Sequence, residues 1–406
     1  MVRRPDTRRM LLMLVGLPAR GKTFIGRKLA RYLSWLGYRT RVFNVGSYRR
    51  ERLGSYQPHS FFSPDNLRGE EARRRLAELA LEDALGWFSG VGDVAIYDAT
   101  NTTRERRDFV RHRAEREGIK VLCIETICDD EAIIEQNIRE TKLTSPDYLG
   151  IDPEQAVRDF RARIDHYARV YEPVGEDEGA YIKVVNVGRQ VVTHRLQGYL
   201  PGRLVFFLMN LHIVPRPLWL TRHGESLYNL EGRIGGDAEL SPRGERYAQA
   251  LTGWMHDHAT GEYGVWTSTL RRAAQTARHL PVPAVAWRAL DEIDAGVCDG
   301  MTYEQVREEL PQEFEARQRD KLRFRYPRGE SYEDVIQRLE PVIIELERQQ
   351  NPVLVVTHRA VLRALYAYFM DRPPEDCTRL DIPLHTVLEL TPRAYGCEEK
   401  LHPIAV

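Results

Sequence analysis

The sequence has no excess of charge of either sign, few cysteines and no long apolar run, and each absence narrows what the protein can be. Lys plus Arg and Asp plus Glu both total 59, so no overall field favours nucleic acid or an acidic membrane surface. The five cysteines show neither CxxC nor Cys/His spacing, which argues against a disulfide framework and a zinc site. No apolar run approaches the ~20 residues that span a bilayer. We therefore expect a cytoplasmic protein with no nucleic-acid and no membrane partner.

Short apolar runs alternate with longer helical patterns throughout the 406 residues. In the first half, helix-like stretches such as 23–37 and 70–90 separate runs that we interpret as buried strands, at 10–15, 41–45, 93–98, 120–126 and 180–187. The second half repeats the alternation, with predicted strands at 217–224, 263–268, 351–359 and 385–391. Strand, helix, strand in this order predicts an α/β fold in which a mostly parallel sheet is covered by helices.

The segment 201–217 marks the predicted boundary between two α/β domains. It brings a strand-like run and two prolines close together near its end. We place the boundary within a few residues of 213, which gives domains at 1–213 and 214–406.

The segment GLPARGKT, residues 16–23, matches the P-loop pattern G-x-x-x-x-G-K-[ST] between a predicted strand and a predicted helix. Backbone N–H groups of such a loop converge on phosphates, Lys22 would reach the terminal phosphates, and Thr23 would bind Mg²⁺. Asp98 ends a predicted strand where such kinases orient a metal, although an Asp there is as often a turn or cap residue. The following segment DATNTTRERR, 98–107, adds hydroxyls and arginines at the ligand-binding edge of the sheet. The first domain is therefore predicted to be a kinase.

The second domain carries two histidines, two arginines and a carboxylate near the ends of predicted strands. His223 and Arg222 lie in TRHGES, Arg272 in TSTLRRAAQTA, Glu292 in LDEIDAGVCDG and His358 in VVTHR. In one pocket, His223 could attack phosphorus, the arginines and His358 could stabilise charge, and Glu292 could protonate the leaving oxygen. The pattern predicts a phosphatase that works through a phosphohistidine.

Together these motifs closely resemble the bifunctional 6-phosphofructo-2-kinase/fructose-2,6-bisphosphatase family. The segments that carry the resemblance include NVGSYRR, FFSPDN, DATNTTRERR, SPDY, RHGES, RIGGD, EIDAGVC and RYPRGESYEDVIQRLEPVIIELERQ. The second half alone would indicate only the histidine phosphatase superfamily, with a fold like that of phosphoglycerate mutase. The resemblance implies that ATP, with Mg²⁺, phosphorylates the 2-hydroxyl of fructose 6-phosphate, and that a cofactor-free bisphosphatase removes that phosphate again. It implies a role in controlling glycolysis and gluconeogenesis, and a homodimer.

The resemblance also implies the site residues. Thr23 and Asp98 would serve magnesium, and Lys142 would add positive charge at the transferring phosphoryl group. The residues implied for ATP are Gly16, Leu17, Pro18, Ala19, Arg20, Gly21, Lys22, Thr23, Cys128 and Asn137. Those implied for fructose 6-phosphate are Arg73, Thr100, Arg106, Arg163 and Tyr167. Those implied for fructose 2,6-bisphosphate, beside the residues already named, are Asn229, Tyr303, Arg317, Lys321, Arg325, Tyr332, Arg359 and Arg363.

One position departs from the family pattern, and three alternative functions stay open. The family usually has Gln after the second histidine, where this chain has Arg359, a cation that could tighten sugar-phosphate binding or slow product release. One alternative is a nucleic-acid-end kinase/phosphatase, which should show a basic surface and stacking aromatic residues. The others are a chain in which one domain is catalytically weak and regulates by binding ligand, and a phosphatase or mutase of broad phosphosugar range.

Overall fold

The computed structural model describes residues 9–139, 146–211, 216–393 and 396–406. The chain divides into two compact units, Met1–Leu211 and His212–Val406, and each has its own six-stranded sheet. Lys142 and the predicted boundary at 213 lie outside the described residues. Among the described helices, none combines the length and the apolar character needed to span a membrane.

The first unit has a sheet in the order β2-β3-β1-β4-β5-β6, parallel except for β6, which runs antiparallel to β5. Its strands are β1 (Met10–Val15), β2 (Thr40–Asn44), β3 (Val94–Asp98), β4 (Lys120–Ile127), β5 (Tyr181–Val185) and β6 (Gln190–His194). Its helices are α1 (Lys22–Trp35), α2 (Val45–Leu53), α3 (Leu67–Ser89), α4 (Arg104–Glu115), α5 (Glu131–Asn137), α6 (Pro153–Ala168) and α7 (Tyr199–Met209).

The central strand β1 is apolar at every position because helices cover both faces of the sheet. Leu11 and Met13 join a core with Phe43 of β2 and with residues of α3. On the other face, a Cβ at Gly26 of α1 would lie only 2.9 Å from the Leu14 side chain, so the helix packs closely against the strand. This packing fixes the start of α1 against the carboxyl end of β1.

The strand predicted within 201–217 is wrong, because residues Tyr199–Met209 form helix α7. Leu200, Leu204, Phe207 and Leu208 are buried on one face, at the three-to-four-residue spacing of a helix. Phe207 stacks on Tyr32 of α1 with ring centroids 4.3 Å apart. A short apolar run does not by itself distinguish a buried helix from a strand.

The second unit has a sheet in the order β12-β11-β7-β10-β8-β9, in which β11 runs antiparallel to both of its neighbours. Its strands are β7 (Leu218–Arg222), β8 (Gly264–Thr267), β9 (Ala284–Ala286), β10 (Val353–Thr357), β11 (Thr386–Arg393) and β12 (Gly396–Pro403). Its helices are α8 (Leu227–Leu230), α9 (Pro242–His258), α10 (Arg271–Ala277), α11 (Tyr303–Glu309), α12 (Pro311–Arg319), α13 (Tyr332–Arg338), α14 (Glu340–Arg348) and α15 (Arg359–Phe369).

The strand order brings the predicted site residues to one edge within each unit. β1 and β3 are neighbouring parallel strands, so the loops after Val15 and Asp98 leave the first sheet on the same side. β7, β8 and β10 are likewise parallel, so Arg222 at the end of β7 and His358 just after β10 lie on one side of the second sheet. The predicted fold class, two mostly parallel α/β units, is confirmed.

Candidate active sites

The loop between β1 and α1 has the backbone conformation of a phosphate-binding loop. Gly16 has φ of 135°, and a Cβ there would lie 2.5 Å from the carbonyl oxygen of Thr126. Ala19 and Gly21 also have positive φ, 58° and 78°. These left-handed turns let successive backbone N–H groups face one concavity beside the start of α1, which is how an anion is held.

Two contacts brace this loop against the rest of the sheet edge. The N–H of Gly16 donates to the carbonyl oxygen of Thr100 across 3.0 Å. Lys22 is 8% exposed, and its Nζ donates to the carbonyl oxygen of Leu17 across 2.6 Å. The predicted lysine therefore lies beside the loop whose phosphate it would bind, and the main chain of Thr100 supports the loop from β3.

The predicted nucleotide residues beyond the loop contact it directly. Asn137 Nδ2 donates to the carbonyl oxygen of Ala19 across 3.1 Å. Cys128 is buried in one apolar cluster with Ala19 and Ile134, and burial raises the pKa of its thiol. The structure thus brings Cys128 and Asn137 to the same loop.

Asp98 is 3% exposed at the end of β3 and is held by Asn44, a residue that the sequence analysis did not assign. Asn44 is the residue opposite Asp98 in the parallel β2–β3 pair, and its Nδ2 donates to Asp98 Oδ2 across 2.5 Å. Its Oδ1 accepts from the N–H of Ser47 across 2.9 Å and so caps α2. The Asn44 amide thus joins the carboxylate of Asp98, which is predicted to bind magnesium, to the start of α2.

Arg73, Arg163 and Tyr167, three of the predicted sugar-phosphate residues, gather around Phe61 and Phe62. The guanidinium carbon of Arg163 lies 3.7 Å from the centroid of the Phe62 ring, and that of Arg73 lies 5.8 Å from the Phe61 centroid. The rings of Phe62 and Tyr167 are 6.1 Å apart. Burial lowers the pKa of Arg73, Tyr167 opposes this, and the positive charge of Arg163 lowers it further.

Arg49 of α2 belongs to the same group and was missed. It is 4% exposed, and its guanidinium carbon lies 5.5 Å from the Phe62 ring centroid. One of its nitrogens pairs with Asp147 Oδ2 across 2.5 Å, while its other two nitrogens are buried and have no hydrogen-bond partner among the described residues. Burial lowers the pKa of Arg49, and the neighbouring charge of Arg163 adds to that effect. The only signal in the sequence was the motif NVGSYRR, whose arginines carried no assigned role.

Thr100 and Arg106, the other two predicted sugar residues, lie in the segment after β3. The guanidinium of Arg106 donates to the hydroxyl of Tyr97 across 2.9 Å, on the first turn of α4. The neighbouring Arg107 is 1% exposed and pairs with Glu178 across 2.6 Å, so it holds the fold together.

His223 follows β7 and is 4% exposed, with the roles of its two nitrogens set by its neighbours. Nδ1 lies 2.6 Å from the carbonyl oxygen of Gly224, and Arg272 Nε donates to Nε2 across 3.1 Å. Because a carbonyl oxygen only accepts and Arg Nε–H only donates, Nδ1 carries the proton and Nε2 keeps its lone pair. A Cβ at Gly224 would lie 2.5 Å from the carbonyl oxygen of Gly244, so glycine is required there.

His358 is fully buried beside His223, with ring centroids 5.0 Å apart. Its Nε2 lies 2.7 Å from Ser268 Oγ. Burial holds the pKa of both imidazoles well below the ordinary histidine value, and the positive charge of Arg272 adds to this effect. Both rings are therefore neutral at neutral pH.

Arg222 and Glu292 lie with these two imidazoles. Burial lowers the pKa of Arg222 to about 10, and the charge of Glu292 opposes this shift. Glu292 Oε1 accepts from the backbone N–H of Ala360 across 3.2 Å, at the start of α15. Arg338, a residue not predicted, donates to the carbonyl oxygens of Asp291 and Glu292 and so fixes the segment that carries the carboxylate.

Five further predicted residues form a cationic and phenolic group in the same unit. Arg317 donates to the Tyr303 hydroxyl across 3.0 Å, and Arg363 donates to the Tyr332 hydroxyl across 3.1 Å. Lys321 Nζ lies 5.8 Å from the Tyr332 ring centroid. Burial, then the charges of Arg363 and Arg317, lowers the pKa of Lys321 to about 8. Such a group of buried and half-buried cations is suited to a phosphate.

The remaining three predicted residues differ in their surroundings. Arg359 is about half exposed and pairs with Asp381 across 3.2 Å, yet its charge also lowers the pKa of Arg222 and of Lys321. Ser226 caps α8, and Asn229 Oδ1 accepts from the Ser226 backbone N–H across 2.9 Å to complete a capping box. Arg325 is 62% exposed and pairs with Asp334 across 2.5 Å, so the structure does not bring it into the contacts of the cationic group.

Comparison with known proteins gives two matches that together cover almost the whole chain. Residues 1–215 match the family model described as 6-phosphofructo-2-kinase, and residues 218–403 match that of the histidine phosphatase superfamily, branch 1. The chain is 55% identical to a 6-phosphofructo-2-kinase/fructose-2,6-bisphosphatase of Gallus gallus over 96% of its own length and 83% of that protein. It is 51% identical to 6-phosphofructo-2-kinase/fructose-2,6-bisphosphatase 1 of Homo sapiens, with 96% and 83% coverage. A relative in Arabidopsis thaliana is 52% identical over 98% of this chain and 54% of that longer protein.

Proposed function

The chain belongs to the 6-phosphofructo-2-kinase/fructose-2,6-bisphosphatase family, and we propose that it catalyses both reactions of that name. The first unit makes fructose 2,6-bisphosphate from ATP and fructose 6-phosphate. The second unit hydrolyses it to fructose 6-phosphate and phosphate. The observation that carries this proposal is that one chain holds both a complete P-loop and a buried pair of neutral histidines, one of which accepts from Arg272.

In the kinase reaction, the protein positions two substrates and stabilises the charge that moves between them. The N–H groups of the 16–23 loop and the Lys22 ammonium bind the phosphates of ATP. The cationic group of Arg49, Arg73 and Arg163 binds the 6-phosphate of the sugar. Two nitrogens of Arg49 and the Nε of Arg163 are buried and have no hydrogen-bond partner among the described residues, so they are suited to phosphate oxygens. Lys142 adds charge at the phosphoryl group in transfer.

Thr23 and Asp98 fit a magnesium ion that accompanies ATP. Both side chains offer the oxygen ligands that Mg²⁺ prefers, at the start of α1 and at the end of the neighbouring strand β3. When bound, the ion neutralises charge on the terminal phosphates. Asn44 holds the Asp98 carboxylate in place for this role.

In the bisphosphatase reaction, Arg272 Nε moves from His223 Nε2 to the incoming phosphoryl oxygens. Nε2, which carries no proton because Nδ1–H is held by the carbonyl oxygen of Gly224, then attacks the 2-phosphorus. The N–P bond forms as the bond from phosphorus to the sugar oxygen breaks, and Glu292 gives its proton to that oxygen. Arg222 and Arg272 stabilise the charge on the phosphoryl oxygens. Water then attacks the phosphorus of the phosphohistidine, the N–P bond breaks to release phosphate and restore His223, and the carboxylate of Glu292 accepts the proton of that water.

The kinase is tested by incubating the protein with Mg-ATP and fructose 6-phosphate and assaying fructose 2,6-bisphosphate. We expect EDTA to abolish synthesis and to leave the bisphosphatase intact, because only the kinase uses the ion. A protein that makes no 2,6-bisphosphate with both substrates and Mg²⁺ present would contradict the proposed kinase.

The bisphosphatase is tested by trapping its intermediate. Protein mixed with 2-labelled fructose 2,6-bisphosphate and quenched in base should carry label that is base-stable and acid-labile, as phosphohistidine is. His223→Ala should carry none. If His223→Ala still hydrolyses the 2-phosphate at the parent rate, direct attack by water must replace the proposed nucleophile.

We also propose that the protein is a homodimer, as the family resemblance implies. Light scattering of the purified full chain should give the mass of two chains at micromolar concentration. A single-chain mass across that range would reject the dimer.

A further inference from the structure

Ser268 follows strand β8, is fully buried and lies against the second histidine of the pocket. Its Oγ is 2.7 Å from His358 Nε2, and it also accepts from the backbone N–H of Leu270 across 3.3 Å. A serine hydroxyl has one proton to donate and two lone pairs to accept with. The N–H of Leu270 occupies one lone pair, so the hydroxyl proton still needs an acceptor.

His358 Nε2 is that acceptor. Within the described ranges, it is the one group near enough to Ser268 Oγ to take the proton. If Nε2 carried a proton instead, the buried hydroxyl would be left with a donor and no partner, which costs its full desolvation. His358 Nε2 therefore keeps its lone pair, and because the neutral ring carries one proton, that proton lies on Nδ1.

The Nδ1–H of His358 is therefore available to donate to a ligand. Nδ1 is buried and has no hydrogen-bond partner among the described residues. Burial holds the pKa of His358 well below its ordinary range, so the ring enters the reaction neutral and donates from one nitrogen only. In the other tautomer, Nδ1 would carry a lone pair and could not donate to a phosphoryl oxygen.

We propose that Ser268 is a positioning residue that selects the Nδ1–H tautomer of His358 and thereby gives the transferred phosphoryl group a proton donor. The inference rests on the proposed bisphosphatase reaction. The two neighbouring imidazoles then play opposite parts: His223 presents a lone pair at Nε2, held by Gly224, and His358 presents a proton at Nδ1, held by Ser268.

The tautomer is measured directly on the full chain with ¹⁵N-labelled histidine, with His358→Gln used to assign the signal. In the parent, Nε2 of His358 should give the signal of an unprotonated nitrogen and Nδ1 that of a protonated one. In Ser268→Ala, the signals should shift toward a mixture of the two tautomers. A parent protein with the proton on Nε2 would overturn the proposal, whatever its activity.

Kinetics give the second readout. Ser268→Ala should lower the bisphosphatase kcat by about 10- to 100-fold, the usual effect of losing a group that orients a catalytic histidine, with little change in KM. Ser268→Thr, which keeps the hydroxyl, should recover most of the rate. Urea unfolding of the second unit, unchanged in both variants, checks that the unit that holds Ser268 is folded, and the kinase rate of the same preparation measures the amount of active protein.

The outcomes separate this inference from the proposed function. A parent protein without bisphosphatase activity would reject the function, while the labelled histidine would still report the tautomer. A parent with activity, and a Ser268→Ala variant that matches its rate and its nitrogen signals, would reject the role of Ser268 alone. If the second unit of Ser268→Ala fails to fold, the tautomer in the parent decides.

Discussion

At the scale of single residues, Lys22 is the side chain whose loss should separate the two activities. Its ammonium lies in the P-loop, so Lys22→Met should lower the kinase rate on the order of 10²-fold or more by removing charge from the transition state. The bisphosphatase should keep its rate, since its residues lie in the other unit. Assays of both reactions on one preparation measure this.

Lys120→Met is the matched control for that substitution. Lys120 is an exposed lysine that begins β4, at the edge of the sheet opposite the P-loop. It should leave both rates unchanged. A parallel loss of both activities in folded Lys22→Met would argue against two separate sites.

Lys321 gives the bisphosphatase a basic limit to its pH range. Its pKa of about 8 means that the ammonium is lost as the pH rises through that value, so kcat/KM for fructose 2,6-bisphosphate should fall there. Arg359 is one of the charges that lower this pKa. Arg359→Gln should therefore move the fall in kcat/KM, the basic limb of the pH profile, to higher pH. At pH 7 the same substitution should raise KM for fructose 2,6-bisphosphate, because it removes a cation near the substrate.

Lys321→Arg tests whether the limb belongs to this side chain. Arginine stays protonated throughout the range, so the fall in kcat/KM near pH 8 should disappear. The assignment would be wrong if the limb persisted unchanged in Lys321→Arg. A kcat/KM profile and a KM for Arg359→Gln that both match those of the parent would show that Arg359 does not bear on the substrate site.

At the scale of elements, Asn44 ties β2, the capped start of α2 and Asp98 together. Asn44→Ser keeps a capping oxygen for α2 but is too short to reach Asp98, so the kinase kcat should fall about 10-fold with little loss of stability. Asn44→Ala loses the cap as well and should also lower the free energy of unfolding by ~1 kcal/mol. Kinase rates and urea unfolding of the two variants measure the difference.

The bisphosphatase rate serves as the internal control for both variants. If Asn44→Ser retains the parent kinase rate, the amide acts only as a helix cap. Equal stability losses in Asn44→Ser and Asn44→Ala would mean that the cap and the link to Asp98 cannot be separated at this position.

Local sequence patterns predicted correctly the strands and helices that begin or end at a motif. They did not predict elements whose type depends on packing against residues distant in sequence. The runs at 10–15 and 93–98 have few polar residues and turn signals at their ends, so β1 and β3 followed from sequence. The three-residue strand β9 has only exposed residues, and its pairing with β8 leaves no periodic pattern to read. The prediction of a strand at α7 was wrong because the apolar face of this helix is evident only from its packing on Tyr32 of α1.

The site residues divide in the same way. Lys22, His223 and His358 stand in short motifs whose chemistry is visible from residue type and spacing. Asn44 and Arg338 act through partners 54 and 47 positions away in sequence, so each contact exists only once the unit has folded. Roles of that kind lie outside what one sequence reveals.

At the scale of the whole molecule, the two buried imidazoles make the second unit sensitive to acid. Both pKa values lie below the unfolded value near 6.5, so the unfolded chain binds more protons and stability is lost as the pH falls from about 6.5 toward the folded values. Urea unfolding of the parent at pH 7.5, 6 and 5 should show this decline. In His358→Gln the decline should be shallower by about 1.4 kcal/mol per pH unit, the contribution of one proton.

His256→Gln is the control for the acid effect. This histidine is exposed on α9, so its removal should leave the slope of stability against pH as in the parent. Identical slopes in His358→Gln and the parent would show that His358 is protonated without cost in the folded unit.

The strand order also has a consequence for how the protein is made on the ribosome. In the first unit, every described strand has been synthesised once His194 emerges, so its sheet can form while translation continues. In the second unit, β7 (Leu218–Arg222) pairs with β10 and β11, and its neighbour β10 is not made until residues 353–357. More than a hundred further codons are therefore translated before the buried central strand β7 can pair with β10. We expect that, in nascent chains stalled at 300 codons, the first unit is folded and resists protease. In the same chains, β7 should be accessible to cleavage and to chaperone binding.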